Sequence, residues 1–299
     1  MRLAKMRLAT LTFFAAVSAF AQPHIDNVLI RMVPPGTTAL AGGQIQALLA
    51  TPLYHSLIHP QASAMFDKFT AETGFDPRHD VREILFATMP QGRVLLARGK
   101  FNVKQPFPQA TLVRHGAYNI WTSGPNGLCI LDGTLVAAGQ LPAIRAALDE
   151  WKQKGRNQSA QPLVNRLKSA DPTAQIWGVS ESVSSLLSGA RLPGAASALD
   201  LSALFRSLSN TWFQANLATG LKFEVHGTTG AVKDAMALRD AAKGAVGFGR
   251  LSVPEDKPDL LPVFDSITVE QQDRNLAIRI DLPQKSIEPL LALLAPRRK

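Results

Sequence analysis

Apolar residues recur along this chain in two registers, a strand-like period of two and a helix-like period near 3.6, and each stretch is bounded by turn residues. The strand-like run Ile84–Met89 turns at Gln91-Gly92 into Arg93–Phe101, and Thr211–Leu217 turns at Thr219-Gly220 into Leu221–Gly227. A hairpin is expected around Asp132-Gly133 and a second, over Ile267–Ile280, around Asp273-Arg274-Asn275. Leu-Pro and a helix follow each hairpin. The first helix carries Leu141, Ile144, Leu148 and Trp151 on one face, and the second carries Ile287, Leu290, Leu291 and Leu294. Earlier, Thr38–Gly42 leads into a helical Gln44–Ala50, and Ala174–Val179 into a helical Ser182–Ser188. A further helix follows in each case, with Ala62, Met65, Phe66 and Phe69 on one face of the first and Leu201, Leu204, Phe205 and Leu208 on one face of the second.

These elements pair off. Gly92 and Gly99 stand 128 residues before Gly220 and Gly227, and Gly116 stands at the same offset from Gly244. The expected fold class is therefore α+β: two tandem similar halves, each with antiparallel strands and helices packed on one face. The units are residues 22–155 and 170–299, joined by a polar connection at 156–169. Residues 231–251 read either as one helix or as a helix plus a strand.

The 299 residues include 46% apolar and 18% charged side chains, a composition that builds a core and excludes disordered and collagenous classes. Arg2, Lys5 and Arg7 precede an apolar Leu8–Phe20 that ends in Ala19-Phe20-Ala21, the pattern of a signal peptide over residues 1–21 cleaved after Ala21. Export to the periplasm or the extracellular medium is expected, and no further stretch is long and apolar enough for a transmembrane segment in the mature chain. Cleavage removes three cations and no acids from a net charge of +9, leaving +6. This modest excess lacks the aromatic-interleaved basic patch of a nucleic-acid binder, so the expected partners are anionic envelope polymers or another envelope protein, with no nucleic acid. The one cysteine, Cys129, lies in an apolar run and is expected to be a buried thiol.

The leader, Pro52-Leu53-Tyr54, the stretch Gly74-Phe75-Asp76-Pro77 before a strand, and the late hairpin with its Leu-Pro helix resemble a group of exported bacterial proteins of unknown function with a duplicated α+β pattern. The resemblance implies a fold and a compartment. Its motifs are turn and packing residues, so it carries over no active site.

Catalytic templates fit incompletely. Gly178-Val179-Ser180-Glu181-Ser182 lacks the last glycine of a nucleophile elbow, although Asp200 and His226 could complete a serine hydrolase triad; a structural reading makes Ser180 a helix cap. His55 and His59 have the spacing of a helical metal pair but lack the zinc-protease glutamate, and Pro60 turns His59 away from that face. Asp76, His79, Asp80 and Glu83 lie among Arg78 and Arg82 and read as a charge-balanced surface loop. Gly244–Gly249 has the wrong spacing for a dinucleotide fingerprint, so no cofactor is expected, and Trp121, Trp177 and Trp212 read as core aromatics. The function expected is that of an exported, non-enzymatic binding or envelope-associated protein. The alternatives are a serine-type hydrolase using Ser180, His226 and Asp200, and a carrier of an apolar ligand between the halves.

Overall fold

The structure, a computed structural model, describes residues 25–287 apart from 59–62, 65, 69, 72–74, 102–109, 155–160, 168–169 and 183–206. Its strands are β1 (Ala39–Gln44), β2 (Val81–Met89), β3 (Gly92–Gly99), β4 (Thr111–His115), β5 (Tyr118–Ser123), β6 (Asn126–Ile130), β7 (Leu135–Gln140), β8 (Ile176–Ser182), β9 (Ser209–Asn216), β10 (Gly220–Thr228), β11 (Ile267–Gln272) and β12 (Asn275–Pro283). They form one sheet in the order β11-β12-β10-β9-β8-β1-β2-β3-β7-β6-β5-β4. Strands β1 and β8 pair antiparallel, with Ala39 facing Ser180 and Leu40 facing Val179, and this pairing joins the segments before and after the connection into one sheet.

Side chains alternate across a sheet, so residues directly opposite one another share a face. One such row crosses the molecule through Thr268, Arg279, Glu224, Gln214, Trp177, Gly42, Leu85, Leu96, Ala137 and Cys129. From Trp177 onward the row is small or apolar, and it is covered by helices. Helix α4 (Leu141–Lys152) lays Ile144, Ala147 and Leu148 on it, while α1 (Asn27–Ile30) and α5 (Gln161–Arg166) contribute Leu29 and Leu163 to the same cluster. Cys129 is fully buried there, and desolvation pushes its thiol up to about 11, which makes it inert at neutral pH.

Residues 231–251 resolve as the single helix α6 (Val232–Leu251). Its Leu238 and Ala242 pack with Val269, Leu276, Ile267 and Ile278. These strand residues are one position out of step with the row above, so α6 lies on the sheet face opposite α4. Ile287, in the helical residues 284–287, clusters with Leu53, Leu282 and Ile280 on the α6 side. The expected equivalence of Ile144 and Ile287 is therefore corrected: the two cover opposite faces, because the last core residue of β12, Leu282, points the other way. Leu290, Leu291 and Leu294 lie outside the described residues. The pairing of Gly116 with Gly244 also fails, since Gly116 turns β4 into β5 at φ +61° whereas Gly244 lies inside α6.

Three short helices and a turn complete the part that positions the candidate site. These are α2 (Ile45–Leu49), α3 (Pro77–Asp80), α7 (Leu261–Asp265) and a π-helical turn at Tyr54–Ile58. Among the described residues no helix is long and apolar enough to cross a membrane.

Candidate functional site

Ser180 is a strand residue of β8, not a helix cap. It is fully buried, and its hydroxyl donates to the Ser182 carbonyl at 2.6 Å, with the Thr38 carbonyl 3.3 Å away. Facing Thr211, it lies on the α6 side of the sheet; His226, two strands away on β10, faces Trp212 on the other side. A sheet thus stands between the two groups, and the serine–histidine contact of a hydrolase is not formed. Asp200 lies outside the described residues, as does His59. His55 is exposed on the π-helical turn, its ring edge against Tyr54. Among the described residues no group of three or more His, Cys, Asp or Glu side chains is placed to hold a metal ion.

His226 belongs to a different arrangement, half-buried on the sheet face that carries α4. Its ring stacks on Trp212 with centroids 4.2 Å apart, and its Nε2 lies 2.6 Å from Glu224 Oε1. Glu224 also accepts from Arg279 Nε at 2.6 Å and Gln214 Nε2 at 2.9 Å. Burial alone would raise the Glu224 carboxyl, but the bonds from His226 and Arg279 outweigh it and hold the carboxyl below its ordinary value. The network ties β9, β10 and β12 together across this half-buried part of the face. Of the tryptophans expected in the core, Trp177 is buried beneath α5, whereas Trp212 and Trp121 are partly covered.

The Asp76–Glu83 segment separates into two environments. Asp76 caps α3, accepting from Arg78 N at 2.9 Å, and its carboxylate also takes Arg78 Nε at 2.9 Å and His79 Nδ1 at 3.0 Å. The Arg78 side chain holds it well below the usual range, at about 2. Glu83, by contrast, is buried at the core end of β2, where desolvation raises its carboxyl and the Asp26 backbone N–H donates to it at 3.0 Å. A depressed carboxyl stabilises the fold above its ordinary pKa of 3.8 and loses that contribution as the pH falls toward 2. Asp76→Ala should accordingly cost about 0.5–2 kcal/mol at neutral pH, the range of a lost N-cap, and little near pH 2, measured by urea titration at both values.

Between α3, the start of β2, the end of β3 and the Asp132–Thr134 turn lies an open cleft of about 410 Å³ lined by Gln46, His79, Asp80, Val81, Arg82, Arg98, Gly99, Lys100 and Thr134. Its shape has local causes. Lys100 N donates to Asp80 O at 2.8 Å, and Gln46 Nε2 donates to the Arg78 and Val81 carbonyls at 2.9 and 2.7 Å, so α3 is strapped to both β3 and α2. Sequence reading recognised the charged cluster on α3 but not Arg98, Lys100 and Thr134, which stand too far along the chain. The signal that could have found them is the hairpin register, which sets Glu83 opposite Arg98. A second pocket, about 300 Å³, lies between α6 and β11 at Lys243, Val246 and Ile267–Val269.

No protein-family model matches the chain, and no curated protein does. Solved structures are similar in fold. The structure of crystal form III of TP0453 superposes with a TM-score of 0.52 at 9% identity, covering 88% of this chain and 97% of that one. Crystal form I of TP0453 superposes at a TM-score of 0.47 with 8% identity, covering 88% and 96%. At such identity the likeness shows the fold alone.

Proposed function

We propose that this chain is an exported, non-enzymatic binding protein of the cell envelope, working in the periplasm or outside the cell, with the cationic cleft as its binding site. The observation that carries the reading is the separation of Ser180 from His226 by the sheet, with the serine hydroxyl spent on backbone carbonyls. The cleft supports it, because it gathers Arg82, Arg98 and Lys100 on one surface, and an anionic envelope polymer is a partner those cations fit. Export rests on Arg2, Lys5, Arg7 and the Ala19-Phe20-Ala21 ending.

The same reading includes an origin by duplication. Outward from the β1–β8 pair the sheet runs β1-β2-β3-β7-β6 in one direction and β8-β9-β10-β12-β11 in the other. Gly92 and Gly220 open the second strand of corresponding hairpins at φ +135° and +146°, a backbone conformation that favours glycine. The β4–β5 hairpin in the first half and α6 in the second are then separate insertions, and the different faces of α4 and Ile287 belong to the same divergence.

Two measurements test the functional reading. A fluorophosphonate probe should leave Ser180 unlabelled, and Ser180→Ala should hydrolyse p-nitrophenyl acetate at the wild-type background rate. Mass spectrometry of the native protein should find Gln22, or its cyclised form, at the N-terminus. Labelled Ser180 would overturn the non-enzymatic assignment, and intact Met1 on the native protein would overturn export.

A further inference from the structure

The geometry points to a binding site for a phosphate monoester in the cleft, an assignment that rests on the binding reading above and names its ligand class. The lining side chains carry three permanent cations, Arg82, Arg98 and Lys100, against one carboxylate, Asp80. That carboxylate is already engaged, since its Oδ2 accepts from Asp76 N at 2.9 Å. Two further acids stand next to the lining without being part of it, Asp26 and, beside Thr134, Asp132. The Asp26 Oδ2 is paired with Arg82 and lies 3.4 Å from Arg98 Nε. Asp26 therefore orients both guanidiniums from outside the lining, whose own side chains carry the three cations and one carboxylate.

Each cation is held differently. Arg98 is fixed on three sides, by Asp26, by the Thr134 carbonyl at 3.4 Å and by the Thr134 hydroxyl, so little rotamer freedom remains to be lost on binding. Thr134 is itself locked, its N–H and hydroxyl both donating to Asp132 Oδ1 at 2.9 and 2.7 Å. Arg82 is 58% exposed and can turn its outer N–H groups to a ligand. Lys100 has no side-chain partner among the described residues, and its backbone is anchored through Asp80. The remaining N–H groups of two guanidiniums together with one ammonium group around a single cleft match an oxyanion with three terminal oxygens and two charges better than a monovalent carboxylate. The volume of about 410 Å³ exceeds what inorganic phosphate fills and falls within the range of small-molecule sites, which leaves room for the ester's organic group.

Calorimetric titration of the mature chain at low ionic strength tests the assignment, with glycerol 3-phosphate and acetate as probes and amide chemical shifts as the locator. Glycerol 3-phosphate should bind about tenfold or more tightly than acetate, and its shifts should centre on Gly99, Lys100 and Thr134. Arg82→Gln and Lys100→Gln should each weaken it about five- to tenfold, as expected for loss of a charge-assisted contact. Lys285→Gln, an exposed cation elsewhere, should leave it unchanged. Acetate binding as tightly, equal weakening by Lys285→Gln, or absence of binding would overturn the phosphate assignment. An unlabelled Ser180 alongside any of these leaves the non-enzymatic reading standing, whereas a labelled Ser180 removes that reading whatever the titration shows.

Discussion

Trp177→Ala is expected to lower the stability of the fold by about 3–5 kcal/mol, read as a shift of the urea midpoint at unchanged slope. The indole is 2% exposed and sits where β1 and β8 join the two parts of the sheet, facing Gly42 on β1 and covered by Leu163 and Leu167. Its position depends on the neighbouring strand having no side chain there: a Cβ on Gly42 would overlap the six-membered ring of Trp177. Gly42→Ala should therefore cost about 1–3 kcal/mol by overpacking in the wild-type chain but much less in the Trp177→Ala background, where the cavity accepts the methyl group. Additive costs in the double-mutant cycle would show that the ring does not occupy the place of the missing side chain.

Leu148→Ala should cost about 2–5 kcal/mol by the same measurement, because Leu148 is fully buried between α4 and the β3–β7–β6 surface. Leu251 makes the contrast. It is 85% exposed at the end of α6, and its replacement by alanine should change stability by no more than about 0.5 kcal/mol. A similar cost at the two positions would mean that α4 is not docked as described.

Much of this architecture is written locally. Period-two runs with glycine, Asp-Gly or Asp-Arg-Asn between them specify β2–β3, β6–β7, β9–β10 and β11–β12, since a hairpin needs only neighbouring residues and a turn that tolerates its dihedral angles. The i, i+3, i+7 spacing of Leu141, Ile144 and Leu148 likewise specifies α4 as an amphipathic helix before any partner is known. Asp76-Pro77 reads from the sequence as a turn in a surface loop; in the structure Asp76 caps the short helix α3, which forms one wall of a cleft.

What the sequence could not decide is whatever depends on which strands meet at long range. The β1–β8 pairing joins residues about 140 positions apart, and no local pattern encodes it; yet that pairing makes one sheet rather than two domains. Face assignment is equally remote. A strand's alternation tells which residues share a face but not which helix covers it, so α4 and α6 could be recognised as amphipathic while their placement on opposite faces stayed hidden. The Ser180–His226 pair fails for this reason: order along the chain was compatible with a triad, whereas the register from β8 to β10 puts the two side chains on opposite surfaces. The cleft is the converse case. Arg82 and Arg98 became neighbours only when β2 folded back on β3, and Thr134 joined them only when β7 paired with β3, so their shared charge is a property of strand pairing rather than of any segment of the sequence.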